Sequence, residues 1–374
     1  MTQTPTSSSP PFWHQPAAER ALTGARDSAR LSRSYLFVGP DGAGKWAAAM
    51  WVAKCILCYE TASGSRPCGT CDACRRVEAC THPDCHVLFP VRKSDAEEDT
   101  DAFLNAKRTE PFAVVRFAKR ANLAIERVRE LISELNKTSV EGGSKVAIIA
   151  GADQMDKDSQ TVLLKTIEEP PPGAHFVLTA ADSGRIYPTI RSRCQLIRFA
   201  PVAPDAISAR LQSERNIDPA QADLIANLCG GGWGNALRLA TEEAEAWRQF
   251  AVTFWQKAFQ IQTSALLEEI EKAFRKRSLD QVLEAFDVWA YCLRGDCARV
   301  ADLSSRRAPS EDGAPIRDLE TGWACWRILR NGRSILWVNV LPRSAVAGTF
   351  LTLRSRLKCL ERGGADASRA ASLK

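Results

Sequence analysis

Hydrophobic and polar positions follow two regimes along this chain. Up to about residue 200, short apolar runs alternate with stretches whose apolar residues recur three and four apart. Tyr35-Leu-Phe-Val38, Cys85-His-Val-Leu-Phe-Pro90, Lys145-Val-Ala-Ile-Ile-Ala150, His175-Phe-Val-Leu-Thr-Ala180 and Gln195-Leu-Ile-Arg-Phe199 have strand length and are predicted as strands. Ala18, Leu22, Ala25 and Ala29 have helical spacing, as do Ile125, Val128, Leu131, Ile132 and Leu135. A helix is predicted from Lys45 to Cys58 and another from about Asp158 to Glu168, stopped by Pro170-Pro171-Pro172. Strands alternating with helices imply an α/β fold with a parallel sheet and helices on both faces.

After Pro201 the strand signal ends. Residues 201–243 read as two or three short helices around Gly230-Gly231-Gly232, and the chain from about Ala244 is helical by pattern. Tryptophans at 247, 255, 289, 323, 326 and 337 punctuate this last region, which suits buried core or subunit contact. Residues 91–110, with Lys93, Asp95, Glu97, Glu98, Asp99 and Asp101, read as a solvated loop, and Ser304–Pro315 as another. Residues 1–11 read as disordered and 363–374 as a frayed tail.

Composition adds bounds. A length of 374 residues calls for two or three domains, and 45% hydrophobic with 25% charged residues is ordinary for a water-soluble globular protein. No apolar run reaches membrane-spanning length, and the Ser/Thr/Pro-rich start lacks the basic and apolar regions of a signal peptide. The expected compartment is therefore the cytoplasm, with no membrane contact. A net charge of +6 permits nucleic-acid contact without requiring it.

Chemistry concentrates at two places. The first is Gly39-Pro-Asp-Gly-Ala-Gly-Lys45-Trp46, between a predicted strand and a predicted helix. That context is the one a phosphate loop needs: Gly39, Gly42 and Gly44 let backbone N–H groups curl round phosphate oxygens, and Lys45 reaches the terminal phosphates. The next position normally supplies a Ser or Thr hydroxyl to magnesium, but Trp46 has no oxygen to offer. The second place is the cysteine cluster. Seven of the thirteen cysteines fall between Cys55 and Cys85. In a reducing compartment such clustering points to metal rather than disulfides. Cys58, Cys68, Cys71 and Cys74 give C-x9-C-x2-C-x2-C, which suits a closed tetrahedral zinc site within an insertion at 58–85. Cys80 and Cys85 are alternative ligands. An iron–sulfur site lacks the expected C-x3-C-P ending, and Cys55 is expected inside the helix packing.

The order of these features resembles one family. The glycine loop, the four-cysteine insertion, Thr81-His82-Pro83-Asp84, then Leu163-Leu-Lys165-Thr-Ile-Glu168-Glu169-Pro170-Pro171 and Thr189-Ile-Arg-Ser192-Arg193-Cys194 are similar to the delta-prime family of bacterial DNA polymerase III clamp-loader subunits. The resemblance covers about residues 14–245; beyond that only helical character and length agree. It implies an AAA+ P-loop domain at 1–200, a helical lid at 201–243 and a helical collar at 244–374 that joins subunits. It also implies gamma/tau and delta subunits as partners, with the sliding clamp and primed DNA met through the complex. Active relatives in this group carry an Asp-Glu pair where this chain has Ala150 and Gly151, and a lid arginine where it has Gly234. Thr179 matches the polar residue on the strand before the Ser192-Arg193-Cys194 segment. The resemblance therefore implies a subunit that hydrolyses no ATP, though it could still bind ATP, and that offers Arg193 in trans to a neighbour's nucleotide. An active ATPase of the same group and a zinc-bearing nucleic-acid-binding protein are the competing readings.

Overall fold

The computed structural model describes residues 12–60, 66–92, 95–115, 121–301, 316, 318–336 and 340–371. The expectations for residues 1–11, for the 304–315 loop and for Trp337 lie outside the described residues. The chain forms two compact units, Met1–Leu239 and Ala240–Lys374.

In the first unit, α1 (Pro16–Asp27) leads to β1 (Ser34–Val38) and α2 (Lys45–Leu57). There follow α3 (Asp72–Glu78), β2 (Cys85–Leu88), α4 (Ala96–Thr109), α5 (Ile125–Asn136), β3 (Lys145–Ile149) and α6 (Lys157–Glu168). Next come β4 (Ala174–Ala180), α7 (Pro188–Arg193) and β5 (Gln195–Arg198), and then α8 (Pro204–Arg215), α9 (Pro219–Leu228) and α10 (Trp233–Leu239). The five strands make one parallel sheet in the order β2-β3-β4-β1-β5.

Successive side chains of a strand face opposite sides of a sheet, and the core divides accordingly. Tyr35, Phe37, Val146, Ile148 and Val177 pack with α1 and α2 on one face. Leu36, Val38, Ala147, Ile149, Phe176 and Leu178 pack with α5, α6 and α7 on the other. The expected parallel sheet, covered on both faces, is therefore present. Its register pairs Val38 with Ala180 and Phe37 with Thr179, so the glycine loop and the end of β4 emerge at the same carboxyl edge.

The cysteine insertion is tied back to this sheet at its exit. Asp84 accepts hydrogen bonds from the Ser139 hydroxyl (2.9 Å) and the amides of Val140 (2.9 Å) and Glu141 (3.0 Å). Glu141 also pairs with the buried His82 ring at 3.2 Å. The Thr81–Asp84 motif thus acts here as a clamp between α3 and the turn before β3.

The expectation for residues 91–110 fails. The charged stretch 91–110 contains the helix α4 rather than a solvated loop. Its acids, Glu97, Glu98 and Asp99, sit in the first turn and its cations, Lys107 and Arg108, in the last, which is the arrangement the helix dipole favours. Asp99 is buried and held by the Arg92 guanidinium at 2.6 and 3.0 Å. Phe103 is buried and stacks on Phe89 with ring centroids 3.8 Å apart. A single large apolar side chain and one buried ion pair anchor the helix, which a reading by apolar periodicity does not register.

The described elements of the second unit are all helices: α11 (Glu242–Lys257), α12 (Thr263–Phe274), α13 (Leu279–Ala301), α14 (Leu319–Ile335) and α15 (Pro342–Ala371). The last helix runs to Ala371, so the frayed tail expected from 363 is helical there. Trp289 lies at the centre, with ring centroids 4.8 Å from Phe350, 5.0 Å from Phe286 and 5.6 Å from Phe254. Three buried indole N–H groups of this unit find acceptors: Trp289 on the Ala251 carbonyl, Trp255 on Asp296 and Trp247 on the Gln281 carbonyl. The tryptophan series is not uniform. Trp323 is 58% exposed and stacks on Trp326 at the surface of α14. Among the described residues no helix is long and apolar enough to cross a membrane.

Candidate functional site: glycine loop, cysteine cluster and Arg193

The glycine loop joins β1 to α2, with Gly42 and Gly44 in the left-handed region at φ +78° and +97°. Lys45 opens α2, but its ammonium is turned onto the loop itself. Nζ donates to the carbonyls of Gly39 (2.5 Å) and Pro40 (2.7 Å) and lies 3.9 Å from the Asp41 carboxylate. Burial lowers its pKa, and the charge of Asp41 works against that shift. Trp46 is also buried. Its ring meets Phe103 edge-on at 5.3 Å, with Lys107 Nζ 5.5 Å from its centroid. Lys107 donates to the Ala113 carbonyl at 2.6 Å; burial and the nearby Lys45 charge push its pKa down to about 8. The position that would hold magnesium is thus absorbed into an aromatic cluster with α4.

The other side of the loop is packed against the chain's own backbone. The Gly234 amide donates to the Gly42 carbonyl at 3.1 Å, and the Asn235 amide side chain to the Asp41 carbonyl at 3.3 Å. A β-carbon on Gly232 would lie 1.9 Å from the Asp41 oxygen, and one on Gly234 would lie 1.7 Å from the Phe112 oxygen. The Phe112 ring in turn approaches Gly44 so closely that a β-carbon there would lie 2.8 Å from it. Gly234, where the resemblance places the lid arginine of active relatives, has no room for a side chain: it is where α10, the glycine loop and residue 112 meet.

The two positions where the resemblance leads one to expect acids lie at the end of β3. Ala150 is buried, and Gly151 adopts φ +65° and donates its amide to Thr179 Oγ1 at 3.3 Å. The Thr179 hydroxyl is thereby engaged by the strand end. An acid does lie nearby, Asp153, which sequence reasoning passed over because it stands two residues beyond the expected pair. Its Oδ2 accepts from the amides of Ala181 (3.2 Å) and Asp182 (3.1 Å), so this carboxylate fastens the end of β4. Burial raises its pKa.

Arg193 is the last residue of α7, half-exposed. Nη1 donates to the Thr189 carbonyl (3.1 Å) and Nη2 pairs with Glu168 Oε1 (2.9 Å). Both of the ordinary roles open to such an arginine, closing its own helix and meeting a surface acid, are present.

The cysteine cluster forms as expected. The Sγ atoms of Cys58, Cys68, Cys71 and Cys74 all lie within 4.8 Å of one another, with Cys58 at 3.7 Å from Cys68 and 3.9 Å from Cys71. Thiolates bound tetrahedrally at ~2.3 Å to zinc stand ~3.8 Å apart, so the four residues fit that ion. The spacing follows from local structure. The Cys71 amide points at the Cys68 sulfur (3.3 Å) and the Cys74 amide, in the first turn of α3, at the Cys71 sulfur (3.4 Å). At Cys68 burial works against ionisation, but the N–H of Cys71 and the backbone and hydroxyl of Thr70 outweigh it and hold the thiol at about 6. Burial pushes the thiols of Cys58 and Cys74 upward, and a metal ion bound by this set would favour their thiolates. The alternatives separate: Cys85 is buried in β2 with its thiol pushed up to about 12, and among the described residues neither it nor Cys80 joins the ligand cluster. Cys55 is buried in α2, its thiol likewise pushed up to about 12.

A parallel sheet in this strand order, with a glycine loop at its carboxyl edge and short helices packed over that loop, defines a P-loop domain of the AAA+ type. The family model described as "DNA polymerase III, delta subunit" matches residues 14–203, and the chain belongs to that family. DNA polymerase III subunit delta' of Bacillus subtilis strain 168 is 35% identical over 214 residues, covering 57% of this chain and 56% of the relative. The Haemophilus influenzae subunit delta' is 24% identical over 273 residues, covering 72% and 70%. DNA polymerase III subunit tau of Escherichia coli K12 is 30% identical over 231 residues, covering 60% of this chain and 31% of tau. The chain thus spans little more than half of the Bacillus relative.

Two outcomes follow from this geometry. Protein purified without chelator carries one zinc per chain by elemental analysis, and Cys71→Ser lowers that stoichiometry while the sheet stays folded, since the insertion is appended to an existing core. Gly234→Ala lowers the stability of the first unit by about 1–3 kcal/mol, the usual range for overpacking. At a free helical glycine the same change would be stabilising by ~1 kcal/mol, so the sign of the shift in denaturation midpoint separates the two cases.

Proposed function

We propose that this chain is a catalytically silent, delta-prime-like subunit of a bacterial clamp loader, which completes the ATP site of a neighbouring subunit and helps place the sliding clamp on primed DNA. The observation that carries this reading is the state of the glycine loop. Phosphoryl transfer depends on positioning and on charge stabilisation by metal, lysine and arginine. Here Trp46 replaces the metal-binding hydroxyl, Ala150 and Gly151 replace the acidic pair, and Gly234 replaces the lid arginine. Lys45 is bonded to loop carbonyls, and α10 and Phe112 pack on the loop. Each departure removes a different requirement, so no single reversion restores a competent site. The preserved glycine loop then serves as a joint between the sheet and the helices that follow it.

In this reading the partners are gamma/tau and delta subunits, the clamp and DNA are met through the complex, and the working compartment is the cytoplasm. The AAA+ domain (1–200) carries the zinc insertion, residues 201–243 form its lid, and residues 244–374 form the collar. Zinc held by Cys58, Cys68, Cys71 and Cys74 fixes the insertion and takes no part in chemistry. Similarity to subunit tau as well as delta' supports a place among clamp-loader subunits, and an active ATPase of that group is the competing reading that Lys45 alone favours. Arg193 is the residue assigned a role in trans. A guanidinium has a permanent charge and a planar fork that matches phosphate oxygens.

The test is reconstitution with partner subunits, clamp and primed DNA. Arg193→Ala keeps folding, zinc content and assembly, and lowers stimulated ATP hydrolysis and clamp loading. A trans arginine is worth about 10³–10⁵ at the site it serves, so the total falls by that site's share. Arg193→Lys restores only part, because an ammonium lacks the fork. Wild-type hydrolysis and loading by the Arg193→Ala complex would refute the role.

A further inference from the structure

We propose that Glu168 is a positioning residue for Arg193: its carboxylate, at the end of α6, orients the guanidinium that α7 offers to a neighbouring subunit. The inference rests on the trans-arginine reading above and adds to it the group that sets the arginine's geometry.

Three observations converge. First, the guanidinium is held at both terminal nitrogens from two different elements, Nη1 by the Thr189 carbonyl of α7 and Nη2 by Glu168 of α6. A guanidinium carries five N–H donors in one plane. Anchoring two nitrogens fixes that plane and leaves further donors available on a side chain that is 42% exposed. Second, Glu168 is the last residue of α6, where exposed carbonyls disfavour an acid. A residue serving its own helix there would be a cation, so the carboxylate's compensating contact is with Arg193. Third, the platform is rigid. The α6 helix is capped by Asp156 accepting from the Ser159 amide at 2.8 Å, and its residues Leu163 and Ile167 are buried; Ile190 of α7 is buried as well.

The closest approach is Nη2 to Glu168 Oε1 at 2.9 Å, while Nη1 donates to the Thr189 carbonyl. The two terminal nitrogens thus face different acceptors, which steers the arginine without committing its whole fork to the carboxylate. That settles the sign: losing Glu168 slows the neighbour's ATP hydrolysis, whereas losing a latch that sequestered Arg193 would speed it. The arginine acts where charge develops in the transition state, so the loss falls on kcat and leaves KM for ATP in place.

The experiment uses the complete reconstituted loader with clamp and primed DNA. Glu168→Ala lowers stimulated kcat about three- to five-fold, which at 1.36 kcal/mol per decade is under ~1 kcal/mol and within what an exposed ion pair supplies. KM, assembly, zinc content and Tm stay at wild-type values. Glu168→Gln, which keeps an acceptor oxygen at the same reach, recovers at least half the rate. In the Arg193→Ala background, Glu168→Ala has no further effect. A raised rate, an unchanged rate while Arg193→Ala lowers it, or an equal loss in the Arg193→Ala background each overturns the positioning role and leaves the trans-arginine reading standing. A wild-type rate from Arg193→Ala alone overturns both.

Discussion

The first unit depends on a contact between two pieces of backbone: the glycine loop and the start of α10. Gly42 and Gly234 are bonded through the main chain, and Gly232 and Gly234 stand where any side chain would strike the Asp41 or Phe112 carbonyl. Backbone can approach backbone this closely only where glycine removes the β-carbon. The same glycines that would let a loop wrap phosphate here let it receive a helix. That packing accounts for several features together. Lys45 turns back onto the loop, Trp46 is free to join Phe103, and Gly234 is the one residue that fits under Phe112.

Much of the fold was legible in the residues. Runs such as Val146–Ala150 are apolar at every position because both sheet faces are covered, and they mark buried strands. The cysteine site was legible because ligand spacing is a local property: Cys68, Cys71 and Cys74 are brought together by a turn and the first turn of α3. Helix α4 was not. Its stability comes from Arg92 gripping Asp99 and Phe103 stacking on Phe89, contacts between neighbours in space that leave no periodic trace. In the second unit, pattern established helices and aromatic content but not which tryptophans are core. Trp289 on α13 is buried and Trp323 on α14 is exposed, a difference set by their tertiary surroundings.

At the candidate site, Trp46, Ala150, Gly151 and Gly234 were legible as departures from the expected residue types. What filled the space was not. Phe112 belongs to a stretch with no motif, and its place over Gly44 and Gly234 is set by tertiary packing. Arg193 was legible as a candidate, but its pairing with Glu168, 25 residues earlier in the chain, required the structure. The two acids Glu168 and Glu169 are alike in sequence, and the geometry singles out the first of them.

The most direct measurement of the central claim is magnesium-dependent ATP turnover by the purified chain alone, compared with its Lys45→Ala variant. With the loop engaged by α10 and Phe112, and with no acid at 150 or 151, both proteins give the same background rate. Turnover by the wild-type chain that Lys45→Ala abolishes would contradict the account, because it would require Lys45 to leave the Gly39 and Pro40 carbonyls for a phosphate.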